Sequence, residues 1–148
     1  MPSQQPSAAL TQFHDEWSME YSMVPRVVSL ARRHTRRHVD RVGWEGDVEA
    51  AVLVVSELVS NAVRYARVAG CTLELGLRLR QGDLVVDVFD PLPHFPCFDR
   101  DTACAEDEGG RGLPLVRSVA ALSWCPAPDY RGKRVQACLP GPARSPQD

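Results

Sequence analysis

Residues 56–66, SELVSNAVRYA, decide how this chain is read. They overlap the longer run Val48 to Val63, which is almost wholly apolar except for Glu49, Ser56, Glu57, Ser60 and Asn61. At about 100° per residue, Ser60, Glu57 and Asn61 fall within roughly 100° of one another, with Ser56 about 40° further round. The spacing predicts a helix from near Asp47 to about Val68, closed by Gly70, with one polar cluster on an apolar rod. Such a cluster can be an ordinary solvated face. It can also be a site: a carboxylate and an amide oxygen one turn apart suit Mg²⁺ held through oxygens and waters beside phosphate groups. A neutral amide holds the metal without repelling phosphate, and the carboxylate is left to act as a base.

Outward from this helix the period of the apolar residues changes several times. Trp17, Met19 and Tyr21 alternate within a first strand, about Glu16 to Met23. Pro25 then opens a helix that runs to about Val42 and stops at Gly43, with Arg32, Arg33, Arg36 and Arg37 on its outer face. Beyond Gly70, Cys71, Leu73, Leu75, Leu77 and Leu79 alternate with polar residues, Gln81 and Gly82 turn the chain, and a return strand covers Asp83 to about Asp90. A loop of about twenty residues, 91–112, has the length and acidic small-residue composition of a lid. A third helix, Leu113 to about Leu122, tolerates Pro114 in its first turn, and two strands, near Ser123–Cys125 and Lys133–Leu139, complete the chain. This order predicts an α+β fold: a two-layer sandwich with about three helices on one face of a mixed, mostly antiparallel sheet. Residues 1–15 and 141–148 read as polar tails around one domain, 16–140.

Two further features carry chemistry. Leu84, Val86, Val88 and Asp90 share one face of their strand, so a carboxylate ends a core-facing row. Burying it unpaired costs several kcal/mol, which calls for a specific donor: an exocyclic purine amine, or the backbone of the turn at Pro91. In GGRGLP, Gly109, Gly110 and Gly112 precede a helix, where free N–H groups attract phosphate. The GK[ST] ending of a P-loop is absent.

In that order, SELVSNAVRYA resembles the N-box, Asp90 the aspartate of the first glycine box, and GGRGLPLV the second glycine box of the histidine-kinase-like ATPases (Bergerat fold). More narrowly, the short chain resembles their anti-sigma-factor serine/threonine kinases and the many relatives of these. The resemblance implies that Asn61 ligates Mg²⁺, Glu57 is the general base, Asp90 binds the adenine amine, and Gly110, Arg111, Gly112 and Leu113 hold the phosphates of ATP, with 91–112 as the ATP lid. It also implies a sigma factor and an anti-sigma-factor antagonist as partners, and it leaves a homodimer open. The alternative within the same fold is a non-catalytic module that binds ATP and sequesters a partner. PLPHFP stands after Asp90 where the wider family has glycines, and Tyr65 where many relatives have histidine.

Composition narrows the alternatives. The chain has 148 residues, 44% of them hydrophobic, and 17 basic residues against 19 acidic ones for a net charge of -2. That balance disfavours a dedicated nucleic-acid binder, and no apolar run approaches the ~18 residues of a membrane span. The opening MPSQQPSAALTQ lacks the basic and apolar regions of a secretory leader, so the expected compartment is the cytoplasm. The five cysteines form no CxxC pair, against both a zinc ribbon and a disulfide framework. His34 and His38 lie one turn apart but among arginines, which favours a solvated or partner-binding face over a metal site. His94, Cys97 and Cys104 form an irregular set that could ligate a metal or act in redox chemistry.

Overall fold

The computed structural model describes residues 12–95, 98, 112–129 and 131–142. The elements are β1 (His14–Ser22), α1 (Val27–Val42), α2 (Val48–Tyr65), β2 (Thr72–Arg80), β3 (Asp83–Asp90), α3 (Gly112–Val119), β4 (Ala121–Pro126) and β5 (Lys133–Leu139). The strands form one five-stranded sheet in the order β1-β2-β3-β5-β4. Every pairing is antiparallel, so the expected two-layer α+β architecture is observed with no parallel pair among the described strands.

Alternation along the strands sets the core. Leu73, Leu75, Leu77 and Leu79 of β2, Leu84, Val86 and Val88 of β3, and Val135, Ala137 and Leu139 of β5 are buried in one cluster with Ala51, Val54, Val55, Leu58, Val59 and Ala62 of α2. At about 1.5–3 kcal/mol per fully buried large aliphatic side chain, this seam is the main source of stability. Asp47 caps α2 by accepting the Ala50 N–H at 3.1 Å, and the Trp44 indole donates to the Gly82 carbonyl at 2.9 Å. The α1–α2 corner is thereby tied to the β2–β3 turn, where Gln81 and Gly82 take positive φ angles of 53° and 85°.

Several boundaries differ from the sequence expectation. Pro25 lies just outside α1, before its N-cap Arg26. The second helix ends at Tyr65 rather than near Val68, because Gly70, with φ 77°, shapes the turn into β2 and not the helix end. The third helix starts at Gly112 and stops at Val119. Ala121 and Leu122 pair instead with Cys138 and Ala137, a ladder that outweighs the helical pattern.

The largest departure is at the histidines, which form a latch rather than a solvated face. A bulge between His14 and Trp17, with Asp15 at φ 53°, lets the Asp15 carbonyl accept from His38 Nε2 at 3.0 Å. Nδ1 of the same ring faces the Arg41 guanidinium at 3.2 Å, so His38 is the neutral Nε2–H tautomer. Tyr21 Oη donates to His34 Nδ1 at 2.6 Å, and Trp17 stacks on His38 with ring centroids 5.8 Å apart. Burial raises the Tyr21 phenol to about 12, keeping it a donor. Burial, with Arg37 and Arg33 beside His34 and Arg41 beside His38, lowers both imidazoles below their ordinary value.

These histidines are neutral when folded and protonate more readily when unfolded, so acid favours the unfolded chain. Urea unfolding should show constant stability above about pH 7 and a decline as pH falls through about 6.5. His38→Gln should flatten that decline; an unchanged slope would exclude the latch as its source.

Candidate functional site

The site sits where the exposed end of the α2 cluster meets the start of α3. Ser56, Glu57, Ser60 and Asn61 are all half-buried, whereas Arg64 and Tyr65 further along are exposed. The polar cluster is therefore covered by structure and is not a free solvated face. Gly112, the first residue of α3, is buried against it. A Cβ on Gly112 would run into the Glu57 carboxylate, so a larger residue there would push that flexible side-chain end aside. The structure thus brings Glu57 and Gly112 together, with Asn61 one turn along and Leu113, half-buried, next in α3. Gly110 and Arg111 lie outside the described residues.

Asp90 ends β3 on the inward face, as the alternation requires, and is 7% exposed. Its donor is one that the sequence reading did not single out. Lys133 opens the inward row of β5, pairs with Asp90 in register, and is itself 5% exposed. Its ammonium lies 3.0 Å from Oδ2 and 3.1 Å from Oδ1. The Leu92 N–H donates to Oδ1 at 2.9 Å, so the backbone turn also contributes. Burial pushes the Asp90 carboxyl above the ordinary range, opposed by Lys133 and the Leu92 N–H. A signal for Lys133 was present in the sequence: the one lysine of the chain stands in an otherwise apolar alternation, Lys133, Val135, Ala137, Leu139.

The beginning of the expected lid is anchored. Phe95 and Phe98 pack on Trp124 of β4 with centroids 6.0 Å and 6.2 Å apart, and Arg117 of α3 lies over Phe98 and donates to its carbonyl. Residues 96, 97 and 99–111 lie outside the described residues, so the lid and the set containing Cys97 and Cys104 do too. No group of three or more His, Cys, Asp and Glu side chains that could hold a metal occurs among the described residues. A groove of about 390 Å³, lined by Glu20, Glu74 and Phe89 among others, reaches Asp90 and Pro91 at the end of β3. Glu20 and Glu74 are direct cross-strand neighbours, and two carboxylates there repel phosphate. The groove is therefore a poor phosphate site. No helix among the described residues is long and apolar enough to cross a membrane.

Comparison with known proteins agrees with this fold. Residues 22–128 match the model of the histidine kinase-like ATPase domain, and the chain belongs to that family. Its fold is similar to a solved structure containing the RsbU and RsbW domains of Rv1364c from Mycobacterium tuberculosis, with a TM-score of 0.60 and 17% identity over 87% of this chain. The chain spans about a third of that protein, 34% of its length. No curated protein matches the chain.

The Asn61 amide offers an oxygen ligand to a hard divalent cation, with the Glu57 carboxylate one turn away beside the glycine that opens α3. Asn61→Ala should weaken Mg-dependent ATP binding in calorimetry and spare the metal-independent part. Equal affinity with and without the substitution would remove Asn61 from the metal site.

Proposed function

We propose that this protein is an ATP-binding regulator of the anti-sigma-factor type. It transfers the γ-phosphoryl of Mg-ATP to a serine or threonine hydroxyl of an anti-sigma-factor antagonist and binds a sigma factor. The carrying observation is the contact between the Glu57 carboxylate and Gly112 at the start of α3. It sets a basic group beside backbone N–H donors suited to phosphate. Membership of the histidine kinase-like ATPase family and a fold shared with a chain that includes an RsbW domain support the same reading.

In this reading Asn61 holds Mg²⁺, and Gly110, Arg111, Gly112 and Leu113 bind phosphate. Asp90 accepts from the adenine amine. Bound Mg²⁺ supplies charge neutralisation at the phosphates. Glu57 takes the proton of the partner's hydroxyl as its oxygen bonds to the γ-phosphorus and the bond to the β-phosphate oxygen breaks, leaving ADP. The second reading is a non-catalytic module that binds ATP and sequesters a partner, in which Asp90 and Lys133 keep the same role.

Glu57→Gln separates the two. Under the kinase reading it keeps ATP affinity but lowers phosphoryl transfer by about a hundredfold or more, measured by mass spectrometry of the phosphate adduct on an antagonist protein. Transfer at the undiminished rate would refute the base assignment. Gly112→Ala, which pushes a methyl group into Glu57, should cost less than about 1 kcal/mol of stability because a flexible side-chain end can yield. It should nonetheless slow transfer; a folded Gly112→Ala protein with full transfer would show that the Glu57–Gly112 contact is not used.

A further inference from the structure

We propose that Lys133 is the positioning residue of the nucleobase subsite, fixing the Asp90 carboxylate as a charged acceptor that selects a base bearing an exocyclic amine. The inference rests on the reading of Asp90 given above and adds to it a residue outside the matched family segment, 22–128.

A lysine side chain loses much conformational freedom when buried, and the other sixteen of the 17 basic residues here are arginines. At position 133 the compact ammonium fits among three acceptors: Asp90 Oδ2 at 3.0 Å, Asp90 Oδ1 at 3.1 Å and the Leu92 carbonyl at 3.3 Å. Its Nζ also lies 5.2 Å from the centre of the Phe95 ring. The contact with Leu92 joins the ion pair to the first residues after β3, so the carboxylate is held in angle as well as in charge.

An ionised carboxylate offers about four acceptor positions. On Oδ1, Lys133 and the Leu92 N–H take two; on Oδ2, Lys133 takes one, leaving a position for one further donor. A carboxylate accepts only, so it welcomes an amine and rejects a keto oxygen. A protonated carboxyl could donate to the keto oxygen and would lose that distinction. Lys133 is the charged group acting on Asp90. The neighbouring inward position of β2 is Leu73, and the buried residues of α2 and α3 are apolar or glycine. Without Lys133, only the Leu92 N–H opposes burial, which drives Asp90 toward the protonated form.

The test uses the full chain and two readouts. Carboxyl ¹³C NMR reports the charge of Asp90 without nucleotide. Competition binding compares ATP with ITP, which carries a keto oxygen in place of the amine. Wild type should show an ionised Asp90 near neutral pH and prefer ATP by at least about tenfold. Lys133→Met should show a protonated Asp90, weaker ATP binding and a preference that collapses toward parity, with both restored at about pH 9 as Asp90 ionises. Lys133→Gln should behave likewise if the Met variant does not fold, and Lys133→Arg should keep the preference. An ionised Asp90 or an undiminished ATP preference in folded Lys133→Met or Lys133→Gln overturns the role of Lys133. If Asp90→Asn still abolishes the preference, the nucleotide reading survives that result. Absence of ATP binding by wild type overturns the nucleotide reading and the base-selecting role with it.

Discussion

Helix α2 has two surfaces to satisfy, and the rest of the structure depends on how it does so. Its buried residues, Ala51, Val52, Val54, Val55, Leu58, Val59, Ala62 and Val63, are small or β-branched except Leu58, and they let the helix lie close on the leucine and valine rows of β2 and β3. Once that seam is closed, the rotation of α2 is fixed. Glu57 and Asn61 must then emerge at the border of the core, where α3 meets Glu57 at Gly112. The same packing that stabilises the domain sets the carboxylate and the amide in place.

The Asp90–Lys133 pair obeys a different balance. Buried ion pairs gain little over apolar packing, but removing one partner costs about 3–5 kcal/mol because a charge is left uncompensated. On the opposite face of the sheet, Asp87 is also buried, yet it is served by Arg78 at 3.1 Å and Gln136 at 2.9 Å. The two aspartates of β3 differ in what surrounds them. Asp87 is met by long side chains from both neighbouring strands, whereas Asp90 faces apolar neighbours and one ammonium at the end of the strand. That seclusion makes its charge state sensitive to a single residue.

Much of this was legible in the sequence. The alternation of β2 and β3 and the αL glycine after Val42 are strong local signals, and the architecture followed from them. The polar cluster of α2 and the inward carboxylate of Asp90 were visible as breaks in apolar periods. What could not be read was long-range. The pairing of Asp90 with Lys133 depends on the register between strands separated by more than forty residues, which neither strand encodes by itself. The histidine latch depends on a bulge at Asp15 that turns one carbonyl toward α1, so RRHTRRH looked like a solvated face. Ala121 and Leu122 carry no local mark that distinguishes strand from helix; the ladder to β5 decides.

The central claim is that the α2 cluster, the end of β3 and the start of α3 form one nucleotide site. Backbone amide NMR of the ¹⁵N-labelled chain, titrated with Mg-ATP, tests it most directly. The account predicts that shift changes concentrate at Glu57–Asn61, at Asp90–Leu92 with Lys133, and at Gly112–Leu113. Changes confined to the groove at Glu20 and Glu74, with Glu57–Asn61 and Gly112–Leu113 unmoved, or a spectrum unaltered by saturating Mg-ATP, would contradict it.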